Sequence, residues 1–147
     1  MLTAGAATIT YQTTIMATVK LIEYEDASPE VKAVYDDLRA VRKTDFINNF
    51  WKALANHPDN LKRVWEQLKV VMLTPGDLDP LTKEMIYIAV SIANNCEYCI
   101  HSHTATAFAK GMTGQQYQEL VSVVGMAHQT NGIANALKVP VDDVYLK

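Results

Sequence analysis

Two places in this 147-residue chain set a capping side chain directly before a proline, Ser28-Pro29 and Asp79-Pro80. That pairing starts helices. The serine or aspartate oxygen accepts one of the orphan N–H groups of the first turn, and proline at the first helical position lacks an N–H that would have no partner there. Thr113-Gly114-Gln115-Gln116 has the spacing of a capping box and marks a third start. Downstream of each start the apolar residues recur at three- and four-residue steps, the period of a helix with one buried face.

The segments follow from this. Val31, Val34, Tyr35, Leu38 and Val41 predict a helix over about 29–42. A short helix over about 49–55 ends before His57-Pro58. Leu61, Val64, Trp65, Leu68, Val71 and Met72 predict a third over about 58–73, closed by the turn Thr74-Pro75-Gly76-Asp77. A fourth covers about 80–93, and its nearly all-apolar middle, Met85–Ile92, predicts burial on most sides. Asn94-Asn95 interrupts that run and is placed to cap a helix opening at Cys96 and ending at Gly111. Tyr117, Leu120, Val121, Val124, Met126 and Ala127 mark a helix from 113 to about 129, and a last short one covers about 132–137, before Pro140. Val19–Tyr24 alternates weakly and reads as extended. Nothing has the form of a strand–helix–strand unit, so the fold class is all-α, with six to seven helices.

Bulk properties exclude several functions. A net charge of −3 gives no basic surface for nucleic acid or an anionic membrane. No apolar run approaches the ~18 residues that span a bilayer. The composition, 49% hydrophobic and 20% charged, suits one globular domain. Residues 1–16 differ: they carry no charged side chain and are rich in threonine and alanine. They lack the basic start and compact apolar run of an export signal and read as a poorly ordered leader or tag-like segment, with the folded domain over 17–147.

The chemistry concentrates at Cys96-Glu97-Tyr98-Cys99, followed by His103. These are the only two cysteines, and without an export signal they point to a reducing, cytoplasmic compartment and a redox or metal role. On a helix, Cys96, Cys99 and His103 fall at about 0°, 300° and 340°, two thiols and a base on one stripe. Residues three apart on adjacent turns are within disulfide range. The i,i+4 step from Cys99 to His103 places a base one turn away, and a helix N-terminus favours thiolate. On this reading Cys99 is the nucleophile and Cys96 the resolving thiol. Zinc is the competing reading, with Cys96, Cys99, His101 and His103 as candidate ligands. His101 lies about 140° around the helix from Cys96, so a fourth ligand would come from elsewhere, Glu84 or His128. A thioredoxin-type site would need a strand–helix–strand context, and c-type haem attachment would need histidine where Ile100 stands.

The segment Asp79–Gly111 resembles the carboxymuconolactone decarboxylase superfamily, specifically its alkylhydroperoxidase (AhpD-like) branch. The residues that carry the resemblance are Glu84, Cys96-Glu97-Tyr98-Cys99, His103 and Gly111, with Trp51-Lys52-Ala53-Leu54-Ala55-Asn56-His57-Pro58 upstream. The resemblance implies an all-helical domain that assembles into trimers or hexamers and reduces organic hydroperoxides without a bound cofactor or metal. It implies that Cys99 attacks the peroxide, Cys96 closes a disulfide, and His103 and Glu84 relay protons. It also implies a protein or small-thiol reductant. The chain departs from the pattern at Tyr98, where well-characterised members carry histidine. Tyrosine there is an auxiliary hydrogen-bond donor and a poor base near neutral pH. Two other readings stay open: the lactone chemistry of the family's namesake, which does not depend on a CxxC pair, and a non-enzymatic zinc or redox-sensing module.

Overall fold

The computed structural model describes residues 17–146, so the segment read as a leader lies outside the described residues. Six α-helices are present among them: α1 Pro29–Arg42, α2 Asn49–Leu54, α3 Pro58–Leu68, α4 Pro80–Ala93, α5 Glu97–Ala109 and α6 Gly114–Leu137. A π-helical turn, Lys69–Leu73, continues α3, and a 3-10 turn, Asp143–Tyr145, follows α6. No strand occurs among the described residues. The all-α expectation holds, and the chain divides into two compact units between Lys69 and Val70.

The helix starts are built from the side chains that mark them in the sequence. Ser28 Oγ accepts from Val31 N, Asp79 accepts from Leu81 N and Thr82 N, and Thr113 and Gln116 exchange both bonds of a capping box. In the first unit, α1, α2 and α3 enclose Val31, Val34, Tyr35, Leu38, Trp51, Leu61 and Trp65. Trp51 and Trp65 meet edge to face at 5.5 Å between centroids and are almost wholly buried, so both tryptophans are core residues. The segment read as extended, 19–24, is tied to this unit by Ile22 N donating to Lys52 O and by the Tyr35 hydroxyl donating to Ile22 O.

In the second unit α4 and α5 form a helical hairpin. Contacts step in opposite directions along the two helices, from Cys96 N on Ser91 O to the Tyr87–His103 ring stack and the Lys110–Glu84 ion pair, so the helices run antiparallel. Ile88, Ala107, Met112 and Leu120 form the buried centre where α4, α5 and α6 meet.

Three expectations change. The run Met85–Ile92 is buried on one face only: Ile88 and Ser91 are buried, together with Glu84 just before it, whereas Ile86 and Val90 are 49% and 53% exposed. An apolar run reports the absence of polar side chains, not which of its faces is covered. The cap of α5 is Cys96 itself rather than an asparagine, because Asn95 takes a left-handed conformation (φ 54°) in the tight turn and the chain re-enters helix one residue later. The two C-terminal helices are one. Glycine in a helix interior costs about 1 kcal/mol, too little to stop a helix hydrogen-bonded on both sides. The Thr130 hydroxyl donates back to the carbonyls of Met126 and Ala127 instead of breaking the turn.

Candidate active site

The hairpin of α4 and α5 sets the site. Its turn is two residues long, Asn94 and Asn95, and Cys96 N donates to Ser91 O at 2.9 Å, which fastens the start of α5 to the last turn of α4. Cys96 therefore sits at the helix N-terminus, with its sulfur accepting from Cys99 N. Cys96 and Cys99 are joined as a disulfide, their Cα atoms 5.3 Å apart. A sulfur placed there receives a backbone N–H and the positive end of the α5 dipole, both of which favour a thiolate once the bond is reduced.

One turn beyond Cys99, His103 faces α4. Its Nδ1 lies 2.7 Å from Glu84 Oε2. The other carboxylate oxygen, Oε1, accepts from Lys110 Nζ at 2.6 Å. The Glu84 side chain is 5% exposed. Burial pushes its carboxyl upward, but the hydrogen bonds and charges of His103 and Lys110 together outweigh burial and hold it below the usual carboxylate range. An ionised carboxylate only accepts hydrogen bonds, so Nδ1 carries the proton in this pair and Nε2 is the nitrogen left to act as a base. The Tyr87 ring stacks on the imidazole at 3.6 Å between centroids and 19° between planes. That contact fixes the ring from one side, as the carboxylate fixes it from its edge.

A cavity of about 550 Å³ opens against the disulfide. Val71, Met72, Leu78, Ile86, Tyr87 and Val90 give it a largely apolar wall, with Cys96 and Cys99 in the lining and Lys83, Ser91 and Asn94 as its polar margin. The exposed stripe of α4 is thus the floor of a cleft. The chemistry this arrangement allows is thiol–disulfide exchange or attack by a thiolate on an apolar substrate, with a carboxylate-held histidine one helical turn along α5 from Cys99.

The sequence-selected residues distribute as follows. Cys96 and Cys99 are bonded to each other, and Glu84 and His103 are bonded to each other across the hairpin. Tyr98 is 41% exposed in the first turn of α5. His101 and His128 are exposed. Among the described residues no three His, Cys, Asp or Glu side chains are grouped so as to hold a metal ion. Nor is any helix among them long and apolar enough to cross a membrane. Sequence reasoning passed over Lys110 and Tyr87. Lys110 is seven residues after His103, two turns on and on the same stripe, so its phase was readable. Tyr87 is three residues after Glu84, but its contact with His103 depends on the hairpin.

An all-helical hairpin that presents a CxxC disulfide beside a buried Glu–His pair defines a class, and comparison with known proteins gives the family. The family model described as the carboxymuconolactone decarboxylase family matches residues 58–142, more than half of the chain. The chain belongs to that family. Uncharacterized protein 4 in the cox locus of Paracoccus denitrificans is 32% identical over 71 residues, 48% of this chain and 64% of that protein. The alkyl hydroperoxide reductase AhpD of Corynebacterium aurimucosum is 29% identical over 80 residues, 54% of this chain and 44% of that protein. The chain therefore spans less than two thirds of the length of either curated relative. The crystal structure of an alkylhydroperoxidase AhpD core from Rhodospirillum rubrum matches with a TM-score of 0.86 and 56% identity, covering 90% of this chain and 98% of that one. The fold is AhpD-like.

Proposed function

We propose that the protein is a thiol-dependent peroxidase that reduces organic hydroperoxides through the Cys96–Cys99 pair. The observation that carries the reading is the placement of a carboxylate-held histidine, His103 on Glu84, one helical turn from a CxxC cysteine whose partner sulfur caps the same helix. His103 Nε2 takes the Cys99 proton. The thiolate attacks the terminal oxygen of ROOH, the O–O bond breaks, and the alkoxide leaves as ROH with a proton returned through His103. Cys99 is then a sulfenic acid. Cys96 attacks that sulfur, hydroxide leaves as water with the Cys96 proton, and the disulfide closes. Two thiols have lost two electrons to the peroxide. A thiol reductant, protein or small molecule, returns the pair to the dithiol state.

Glu84 acts by holding His103 and keeping its charge balance. Tyr98 serves as an auxiliary donor at the mouth of the pair. The apolar wall favours organic hydroperoxides over hydrogen peroxide, since an alkyl body gains by leaving water there. The exposed apolar residues of the second unit, among them Met126, Ile133 and Leu137 on α6, support assembly into a homo-oligomer, trimer or hexamer. A reducing, cytoplasmic compartment fits a cycle that begins with two free thiols.

The test is a thiol count with intact mass on reduced protein before and after one equivalent of cumene hydroperoxide. Loss of both thiols and two mass units, far faster than free cysteine reacts, is the expected result. Two unreactive thiols would end the peroxidase reading. Turnover of a lactone that survives thiol alkylation would replace it with the namesake chemistry.

A further inference from the structure

The peroxidase reading leaves one buried contact of the site unused. Lys110 is the residue that follows the last turn of α5, and its backbone N–H donates to the carbonyls of Thr106 and Ala107. The chain then turns away at Gly111, whose φ of 96° is open to glycine and strained for other residues, and Met112 N returns to Ala107 O. This end fixes the lysine stem, and a cation is favoured where the α5 carbonyls end. From there Nζ reaches back to Glu84 Oε1 at 2.6 Å.

Among the described residues, the ionisable groups that bond Glu84 are His103 on α5 and Lys110, the residue that caps its end. Tyr87, one turn along α4, covers the imidazole, and α6 brings Tyr117 and Leu120 to the neighbouring apolar cluster. Glu84 has two equivalent oxygens, and a carboxylate with one partner can present either. With Lys110 on Oε1, only Oε2 remains for the histidine.

We propose that Lys110 is a positioning residue of this site: by occupying Glu84 Oε1 it fixes the carboxylate so that Oε2 holds His103 through Nδ1–H, leaving Nε2 as the basic nitrogen beside the cysteine pair. The inference rests on the peroxidase reading only for the use made of Nε2. The arrangement itself is present without peroxide.

The experiment compares reduced wild type, Lys110→Met and Lys110→Arg. Nitrogen-15 spectra of labelled histidine read the His103 tautomer, and iodoacetamide alkylation against pH reads how easily the thiols deprotonate. Wild type should show the Nδ1–H tautomer. Removing a positive charge raises the proton affinity of every neighbouring group, so in Lys110→Met the acid limb of alkylation should move up by about one pH unit, with the tautomer no longer uniform. Lys110→Arg should restore both, because it keeps the charge and the donor. An Nε2–H tautomer in wild type overturns the proposal without any variant, which covers the case of a variant that fails to fold. A folded Lys110→Met protein with wild-type tautomer and wild-type limb also overturns it. Wild type that ignores cumene hydroperoxide while showing the expected tautomer and shift would sink the peroxidase reading and leave Lys110 in its role.

Discussion

Each unit of the molecule holds one carboxylate between a ring nitrogen and a lysine. In the first, Asp37 Oδ2 accepts from Trp65 Nε1 and Lys69 Nζ, both at 2.7 Å. In the second, Glu84 takes His103 Nδ1 at 2.7 Å and Lys110 Nζ at 2.6 Å, one on each oxygen. Both carboxyls are held below their usual range, Asp37 by Lys69 and then Trp65, Glu84 by partners that outweigh its burial. The parts are nearly the same and the consequences differ. The Asp37 side chain is 41% exposed and its ring partner, an indole, donates a hydrogen bond but neither gains nor loses a proton near neutral pH, so the cluster ties α1 to α3. Glu84 is buried, its ring partner titrates, and a cysteine pair lies one turn away. A carboxylate clamp becomes a candidate proton relay through what the ring can do and what stands next to it.

The largest expected effect falls on the thiols. Cys99→Ser should lower peroxide-driven oxidation to the rate of free cysteine, and Cys96→Ser should leave a sulfenic acid on Cys99 that dimedone traps, read by intact mass. The reverse pattern, with the trapped species on Cys96, would transfer the nucleophile's role to the capping sulfur.

The next effect tests the contrast directly. Glu84→Gln should slow thiol oxidation by about 10²-fold, the typical weight of a positioned acid–base group. Asp37→Asn should leave the rate unchanged within about twofold and lower the melting temperature instead. Trp65→Phe, which keeps most of the buried ring and removes its donor, should cost about 1–2 kcal/mol of stability with no change in rate. Equal slowing by the Asp37 and Glu84 variants would break the comparison, because the two clamps would then be doing the same work.

How far the sequence reveals these features depends on the range of the interaction. Ser28, Asp79 and Thr113 are legible as caps because a cap bonds within three residues of itself. The stripe of Cys96, Cys99 and His103 is legible because helix phase is local. Glu84 is different: its partners lie 19 and 26 residues away across a hairpin. From its own neighbourhood it is a carboxylate on an apolar helix, and only the family resemblance singled it out. The Asn94-Asn95 turn misled by one residue, since both asparagines are good caps and the left-handed conformation of Asn95 is set by how α4 and α5 must meet. The exposed stripe of α4 was misread because hydropathy does not say which apolar residues line a cavity.

Acid stability offers a smaller test of the clamps. A carboxyl depressed in the folded state contributes its full stability above its unfolded value, about 4, and loses that contribution as pH falls through the lower folded value. Both clamps therefore weaken in the same direction below about pH 4. Urea unfolding followed from pH 7 to pH 3 should show a flatter decline in Asp37→Asn and in Glu84→Gln than in wild type. The same steepness in a folded variant would mean that its clamp carries no charge-dependent stability.

The smallest effect belongs to α6, where the second unit departs furthest from the sequence expectation. Gly132 lies inside the continuous helix Gly114–Leu137, and a Cβ built on it meets nothing within 4 Å. Alanine there loses less backbone freedom on folding than glycine, so Gly132→Ala should stabilise the protein by about 0.5–1 kcal/mol. A helix that broke at 130–132 would give the opposite result, because glycine would then serve an end that alanine fits less well. The first unit has no counterpart: its helices stop where a lysine takes a left-handed cap, as at Lys43, or where proline opens the next helix, as at Pro58. In α6 the residues that look like a stop lack the second signal, a proline or a left-handed residue, and the helix runs on to Lys138, where a left-handed residue ends it. Melting curves of wild type and Gly132→Ala at one protein concentration decide the matter, with a lower melting temperature in the variant restoring the two-helix reading.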